Sequence, residues 1–158
     1  MIEIKKHSGI YTLTVMQKLP IGLPEAWDYF STPVNLAEIT PSHMGFRITS
    51  EVPEKMYPGQ IISYRVAPLP GMRTNWVTEI THVVQNKFFV DEQRFGPYSM
   101  WHHEHHFEEV EGGIMMTDKV SYKLPFGFLG HVAQKLLVKR QLMEIFEYRV
   151  RKLEQKFG

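Results

Sequence analysis

The chain has 158 residues and a formal net charge of +1, with 43% hydrophobic and 22% charged residues, which are ordinary values for a globular protein. A length close to the roughly 150 residues of a typical domain predicts a single domain over residues 1–158. The near-neutral charge disfavours nucleic-acid binding, and the absence of cysteine excludes disulfides, thiol nucleophiles and cysteine-ligated metal centres.

The beginning of the chain, MIEIKKHSGIYTLTV, lacks the long apolar core of a secretory signal peptide. No stretch reaches the roughly 18 consecutive apolar residues that a membrane-spanning helix needs. We therefore expect a cytoplasmic protein that does not insert stably into a membrane.

Residues 2–17 are predicted to form the first strand, because Ile4, Leu13 and Val15 are interspersed with polar residues. The alternation is imperfect around Gly9, where we expect a bend or a bulge.

Two short helices are predicted to follow this strand. Pro24 suits the first turn of a helix, since proline has the right φ and lacks an N–H group that is not needed there. Thr32–Pro33 repeats this signal and opens a second short helix that ends before Pro41.

Residues 44–123 have a β pattern throughout. Short segments of alternating apolar and polar residues are separated by turn residues, among them Gly59, Gly96–Pro97 and Gly112–Gly113. We predict six strands here, which with the first strand make a seven-stranded antiparallel sheet.

Residues 127–157 are predicted to form one long helix. Apolar residues recur three, four or seven positions apart and so share one face: Val132, Leu136, Met143, Phe146, Val150, Leu153 and Phe157. A large sheet with one apolar face needs a covering layer. We therefore expect an α+β protein whose terminal helix lies across a curved sheet.

Short motifs are spread over the whole chain: Asn35–Leu36, Ile39-Thr40-Pro41, Trp76, Asp91–Gln93, Gly96-Pro97-Tyr98, Trp101-His102-His103 with His105 and Phe107, Met116-Thr117-Asp118, Tyr122 and Leu124-Pro125-Phe126-Gly127. With the order of the predicted elements, they resemble the START-like or Bet v 1-like helix-grip superfamily. Within it, the chain is similar to bacterial ligand-binding SRPBCC domain proteins, near the polyketide cyclase/dehydrase and lipid-transport group. The resemblance implies a helix-grip fold, in which the sheet wraps around the long C-terminal helix.

The same resemblance implies a deep cavity between sheet and helix that holds a small apolar or amphipathic molecule. The superfamily includes carriers, hormone receptors, cyclases and hydroxylase domains, so no single reaction follows from the fold. Binding or transport of a small hydrophobic molecule without catalysis is the leading interpretation. The alternatives are a cyclase, dehydratase or isomerase and a protein-interaction module with a vestigial cavity. The identity of the ligand and the oligomeric state are left open.

The strand around residues 98–109 separates two sets of side chains, because every second residue of a strand lies on the same face. One face carries Trp101, His103, His105 and Phe107, and the other carries His102, Glu104, His106 and Glu108. We predict that the first face lines the cavity and the second faces solvent.

A polar cluster is predicted inside the cavity. The strand period places Asp118 on the inward, apolar face of the next strand, close to His103 and His105. Asp91 or Gln93 joins them if its face of the preceding strand also points inward. The cluster is interpreted as a buried structural network, a ligand anchor, or a catalytic or metal site.

A metal and a catalytic role remain minority interpretations of this cluster. Two histidines at i and i+2 with a nearby aspartate can bind zinc or iron. In acid–base catalysis, Asp118 would orient a histidine. We expect no metal and no cofactor, and we treat His103, His105 and Asp118 only as catalytic candidates.

The residues predicted to contact the ligand come from the sheet and the helix: Tyr64, Trp76, Trp101, His103, His105, Asp118, Tyr122 and Met143. Arg73 and Arg140 are interpreted as solvated charges rather than as partners of an acidic ligand group.

Overall fold

One antiparallel sheet forms most of the fold. The computed structural model describes residues 2–69, 71–133 and 137–158. Those ranges contain eight strands: β1 (Ile2–His7), β2 (Ile10–Leu19), β3 (Arg47–Ile48), β4 (Gln60–Leu69), β5 (Met72–Val84), β6 (Phe88–Phe95), β7 (Met100–Val110) and β8 (Gly113–Lys123). Their order across the sheet is β1-β2-β8-β7-β6-β5-β4-β3. The strands from β3 to β8 form a meander, and the β1–β2 hairpin joins it through the antiparallel pairing of β2 with β8.

Three α-helices lie within the described ranges: α1 (Leu23–Phe30), α2 (Gly127–Ala133) and α3 (Lys139–Phe157). Two 3₁₀ turns, Pro33–Ala37 and Ser42–Met44, follow α1. Proline occupies the first turn of α1 and of Pro33–Ala37, as predicted. None of the described helices has the length and apolar composition to cross a membrane.

The predicted helix over residues 127–157 contains α2 and α3. Residues 134–136, which include Leu136 of the predicted apolar stripe, lie outside the described residues. That one continuous helix spans residues 127–157 therefore stays a prediction.

The predicted number of seven strands is wrong, because the first predicted strand, residues 2–17, is a hairpin of two strands. Ser8 and Gly9 have φ values of 48° and 79°, the left-handed backbone of a two-residue hairpin turn. Ile4 therefore pairs with Leu13. Apolar and polar residues alternate in the same way on both arms of a hairpin. The Ser-Gly pair does mark turns, but the pattern is also compatible with a bend in one long strand, which is what was predicted around Gly9.

The helix α3 packs against one end of the curved sheet. Its buried residues, Leu142, Phe146, Arg149 and Leu153, are spaced four, three and four apart and form one face. Leu142 and Phe146 pack with residues of β2 and β8. Leu153 packs with residues of α1, β6 and β7. Two irregularities in the pairing of β5 with β6 are of the kind that bends a sheet.

We expect Leu153→Ala to lower the free energy of unfolding by about 2–5 kcal/mol, as other large-to-small core substitutions do. Leu153 is only 1% exposed, so the substitution leaves a void where α3 meets the sheet. Glu154→Ala, at the next and exposed position, is the control and should change this free energy by less than about 0.5 kcal/mol. Urea unfolding followed by circular dichroism measures both. Equal effects of the two substitutions would contradict this placement of α3.

Candidate functional site

A large cavity lies between α3 and the sheet. Its volume is about 910 Å³, and its walls are mostly apolar. Many wall residues are aromatic: Phe30, Phe46, Tyr64, Trp76, Phe89, Tyr98, Trp101 and Phe146. The lining residues that are themselves exposed mark where the cavity reaches the surface: Met72, Arg73, Phe126 and Leu129.

Two tryptophans form the centre of the aromatic wall. The rings of Trp76 and Trp101 meet edge to face, with centroids 5.2 Å apart. The indole N–H of Trp76 donates to Thr78 Oγ1 at 3.1 Å, and the Tyr64 hydroxyl lies 3.1 Å from the same oxygen. Because Thr78 satisfies the polar tips of Trp76 and Tyr64, their rings present an apolar surface to the cavity.

The strand β7 presents different side chains to its two faces, as the two-residue period predicts. His103 and His105 are 5% and 7% exposed and point into the interior. His102, Glu104 and His106 lie on the opposite face, where they are half-buried or more open to solvent.

Five side chains form what we call the polar cluster: Asp91 of β6, His103 and His105 of β7, Asp118 of β8 and Arg149 of α3. Hydrogen bonds join His103 Nε2 to Asp118 Oδ1 at 3.0 Å and His105 Nε2 to Asp91 Oδ2 at 2.8 Å. His103 Nδ1 lies 3.5 Å from Asp91 Oδ2. His105 Nδ1 lies 2.8 Å from Asp118 Oδ1, without the alignment of a hydrogen bond. Each histidine therefore lies between the two carboxylates.

Strand pairing brings four members of the polar cluster together. Asp91 is opposite His103 in the pairing of β6 with β7, and His105 is opposite Asp118 in the pairing of β7 with β8. Residues directly opposite one another on neighbouring strands share a face of the sheet. The four side chains therefore point to the side that α3 covers, where Arg149 Nη1 lies 3.7 Å from Asp118 Oδ2.

Asp91, and not Gln93, is the residue of β6 that belongs to the polar cluster. Asp91 lines the cavity and contacts both histidines. The Gln93 side chain instead binds the main chain of Tyr98, donating to its carbonyl at 2.7 Å and accepting from its N–H at 3.1 Å. The carboxylate thus belongs to the polar cluster, and the amide holds the turn before β7.

Burial and mutual contact determine the charges of the two carboxylates. Burial alone would raise the pKa of Asp118, but the contacts with His103 and His105 outweigh it and hold this pKa well below its usual value. Burial would likewise raise the pKa of Asp91, and the same two histidines lower it overall. Both aspartates are therefore ionised at neutral pH.

The pKa values of the two histidines shift in opposite directions. Burial and the neighbouring His105 lower the pKa of His103. Burial would also lower the pKa of His105, but its contacts with Asp118 and Asp91 outweigh burial and raise it. When His105 is protonated, its charge and that of Arg149 balance the two carboxylates, and the polar cluster is neutral.

Arg149 is the member of the polar cluster that the sequence analysis missed. Its side chain is buried, with the residue only 7% exposed, and its guanidinium carbon lies 4.8 Å from the Phe146 ring centroid. The signal was present in the sequence, because Arg149 lies three residues after Phe146 and four before Leu153, on the apolar stripe. A basic residue in a buried stripe is rare and indicates a partner inside the protein.

The outer face of β7 carries the same residue types in a different setting. His102 Nδ1 lies 2.6 Å from Glu92 Oε1, and His106 Nε2 lies 2.9 Å from Glu104 Oε2. Lys119 Nζ lies 3.1 Å from Glu104 Oε1. Ion pairs that remain open to solvent contribute little to stability, so this face provides matched controls for the polar cluster.

Of the eight predicted ligand contacts, five line the cavity: Tyr64, Trp76, Trp101, His103 and His105. Asp118 lies behind the two histidines, and Tyr122 is fully buried and stacks on Tyr11 with ring centroids 5.6 Å apart.

Met143 also does not line the cavity. The residues of α3 that line the cavity are Gln141, Leu142, Ile145, Phe146 and Arg149, and Met143 is not among them. A helix turns by about 100° per residue, so neighbouring positions on an apolar stripe face different surroundings.

Three members of the polar cluster have the chemistry and spacing of metal ligands. Asp91, His103 and His105 each place one potential ligand atom within 4.8 Å of the others. Asp118 contacts the two imidazoles from the other side, as carboxylates behind metal-binding histidines do. The absence of a bound metal stays a prediction of the sequence analysis.

The fold is shared with proteins of very different sequence. The chain matches no protein-family model and no curated protein. It is similar to the structure of Ms6760 from Mycobacterium smegmatis, with 15% identity, a TM-score of 0.68 and 99% of each chain covered. It is also similar to ginseng major latex-like protein 151 from Panax ginseng, with 12% identity, a TM-score of 0.66 and coverage of 94% of this chain and 98% of that chain.

A third similar structure is that of Ara h 8.0201, with 16% identity, a TM-score of 0.60 and coverage of 93% of this chain and 99% of that chain. At such identities the similarity concerns the fold alone. The fold is the Bet v 1-like helix-grip fold, which confirms the resemblance that the sequence motifs carry.

We expect Asp118→Ala to lower the free energy of unfolding by about 3–5 kcal/mol, the usual effect of removing one partner of a buried ion pair. The substitution leaves the buried Arg149 without its carboxylate. His106→Ala, on the outer face of β7, should change this free energy by less than about 0.5 kcal/mol. Chemical unfolding at pH 7 measures both. A loss as small as that of the control would show that the polar cluster does not stabilise the fold.

The contribution of Asp118 should disappear in acid. Because folding lowers the pKa of Asp118, its ionised form stabilises the protein above the unfolded-state pKa of about 3.9. That contribution is lost as the pH falls through the lower pKa of the folded protein. The difference in unfolding free energy between wild type and Asp118→Asn should therefore shrink below about pH 4. Urea unfolding between pH 6 and pH 2.5 measures it, and a constant difference over that range would contradict the ionic role of Asp118.

Proposed function

We propose that this protein binds and transports a small hydrophobic or amphipathic molecule in the cavity between α3 and the sheet. The observation that carries the proposal is the cavity itself, with a volume of about 910 Å³. Small-molecule sites typically have volumes of roughly 300–1,000 Å³, apolar walls and a few convergent polar groups. Protein interiors are otherwise closely packed, so a space of this size supports a ligand-binding function.

The chemistry of the walls supports an amphipathic ligand. The aromatic side chains around Trp76 and Trp101 stabilise apolar groups by removing them from water, at about 25 cal/mol per Å². The polar cluster lies at one part of the wall and would orient a polar group of the ligand. The fold supports the proposal because the resemblance to ligand-binding SRPBCC proteins implies such a cavity. We further propose that the carrier is a single domain over residues 1–158, acts in the cytoplasm and needs no cofactor.

A second candidate function is that of a cyclase, dehydratase or isomerase acting in the same cavity. The observation that favours it is His103, which lines the cavity and whose pKa is lowered by burial and by His105. A neutral imidazole can accept a proton at neutral pH, and Asp118 would hold its orientation through Nε2. A dehydratase lowers the mass of its ligand by one water, and a cyclase or isomerase changes the NMR spectrum and chromatographic retention of the ligand. A carrier releases the ligand unchanged, so mass spectrometry together with NMR of the ligand before and after incubation distinguishes the two.

We expect the neutral fluorescent probe N-phenyl-1-naphthylamine to bind wild-type protein in the cavity. Ile145→Trp should weaken this binding at least about tenfold, because a larger side chain on the cavity face of α3 occupies the space of the probe. Met143→Trp introduces the same side chain two positions earlier, outside the cavity face, and should change the affinity by less than about threefold.

Fluorescence titration measures both affinities, and thermal unfolding verifies that the variants are folded. Equal weakening by the two substitutions, or no binding by the wild type, would contradict a ligand site in this cavity. Native mass spectrometry of protein purified without detergent tests the same proposal independently, by the mass of any co-purified molecule.

A further inference from the structure

Arg149 is the member of the polar cluster with the fewest partners. A guanidinium carries five N–H donors. In the described part of the chain, its polar contact is the 3.7 Å ion pair with Asp118, which is too long for a hydrogen bond. The buried Nε has no hydrogen-bond partner. Buried donors are nearly always satisfied, because an unsatisfied one destabilises the protein.

The two carboxylates, in contrast, have close partners. Asp91 accepts a hydrogen bond from His105 at 2.8 Å, and Asp118 is 3.0 Å from His103 and 2.8 Å from His105. These contacts are all shorter than the one from Arg149. The histidines therefore stabilise the aspartates at close range, and most of the hydrogen-bonding capacity of the guanidinium remains unused.

Arg149 is also accessible from the cavity. It is one of the lining residues, next to Phe146 and on the same part of the wall as His103 and His105. Most of the remaining wall is apolar, so a ligand that enters the cavity can supply the guanidinium with an acceptor that the wall does not offer.

We propose that the ligand is an apolar carboxylic acid whose carboxylate is bound by the guanidinium of Arg149. This inference rests on the proposed function as a ligand-binding protein. A carboxylate matches the planar fork of arginine and accepts two N–H groups at once. The rest of the acid lies against the aromatic wall.

The charges near Arg149 favour a ligand with a single negative charge. Asp91 and Asp118 already lie in the polar cluster, and Asp118 is within 3.7 Å of the guanidinium. A dianionic group such as a phosphate monoester would bring more negative charge against these carboxylates. Repulsion between like charges is strong where water is excluded, so a monocarboxylate is preferred.

The other arginines that the sequence analysis weighed are less suited to this role. Arg73 lines the cavity but is exposed at its mouth. Arg140 is exposed and lies outside the lining of the cavity in the described residues. A solvated arginine gains little from binding a carboxylate, and Arg140 therefore serves as the control position.

The test is a competition experiment at pH 7.5 with N-phenyl-1-naphthylamine as the bound probe. The competitors that displace the probe are decanoic acid, decan-1-ol and decyl phosphate, which all have a chain of ten carbons. Wild-type protein should bind decanoic acid at least about tenfold more tightly than decan-1-ol, as expected for a charge-assisted bidentate contact. Decyl phosphate should bind more weakly than decanoic acid.

Variants assign this preference to Arg149. Arg149→Met should lower the affinity ratio of acid to alcohol to about one or below, because Asp91 and Asp118 then repel the carboxylate, and should leave the affinity for decan-1-ol nearly unchanged. Arg149→Lys should retain part of the preference, since it keeps the charge and loses the fork. Arg140→Met should behave as the wild type. If Arg149→Met does not fold, the double variant Arg149→Met/Asp118→Asn is measured in its place. This variant removes both charges of the ion pair.

The outcomes separate the two proposals. Binding of the probe and of both ligands with a wild-type ratio below about threefold overturns the carboxylate site and leaves the carrier proposal in place. A preference that survives Arg149→Met, or tighter binding of decyl phosphate than of decanoic acid, also overturns it. If the wild type binds neither the probe nor the ligands, both proposals are wrong.

Discussion

The burial of carboxylates inside a β-sheet is the constraint on which the rest of the site depends. Asp118 is 3% exposed, and an isolated charge at such a position would strongly destabilise the fold. Its neighbours compensate for this: His103 and His105 lie between Asp118 and Asp91. This arrangement requires β6, β7 and β8 to pair in one register. A shift of β7 by one residue would turn both histidines to the solvent face.

The same constraint connects the sheet to the helix. Arg149 completes the polar cluster only because α3 is rotated so that Leu142, Phe146 and Arg149 face inward. The apolar part of this stripe packs against β2 and β8, and α3 therefore covers that end of the sheet. The residues of β4 to β7 that face the same side are left to line a cavity. The rotation that supplies the buried arginine thus also leaves the space for a ligand.

The polar cluster consists of two parts that differ in how completely they are satisfied. The histidines and aspartates lie 2.8–3.5 Å from one another, with His105 Nδ1 left without a hydrogen bond, and these contacts are compatible with a structural role without a ligand. Arg149 is buried with donors to spare. A structural network and a ligand anchor are therefore not competing interpretations of one group of residues. In our proposal the His–Asp contacts stabilise the sheet, and the arginine binds the ligand.

The sequence alone determined the features that follow from local periodicity. The two-residue period of a strand assigned His103, His105 and Asp118 to the interior. The helical period placed Phe146 and Leu153 correctly on the buried face of α3, but it included Met143 and Val150 where the structure buries Leu142 and Arg149. The motifs indicated the helix-grip fold. The two inferences from periodicity need only neighbouring residues, because side-chain direction within one strand or helix depends on local backbone geometry. The fold came from the resemblance of motifs along the whole chain.

Tertiary structure alone decided the features that depend on residues distant in sequence. The reversal at Ser8–Gly9 adds the eighth strand, and the pairing of β6 with β7 selects Asp91 over Gln93. The rotation of α3 excludes Met143 from the cavity and brings Arg149 to Asp118, 31 residues earlier in the chain. Strand register and helix rotation are set by the packing of whole elements. A change of one residue in either redirects every side chain, so the local pattern could place Arg149 on a buried stripe but could not identify its partner.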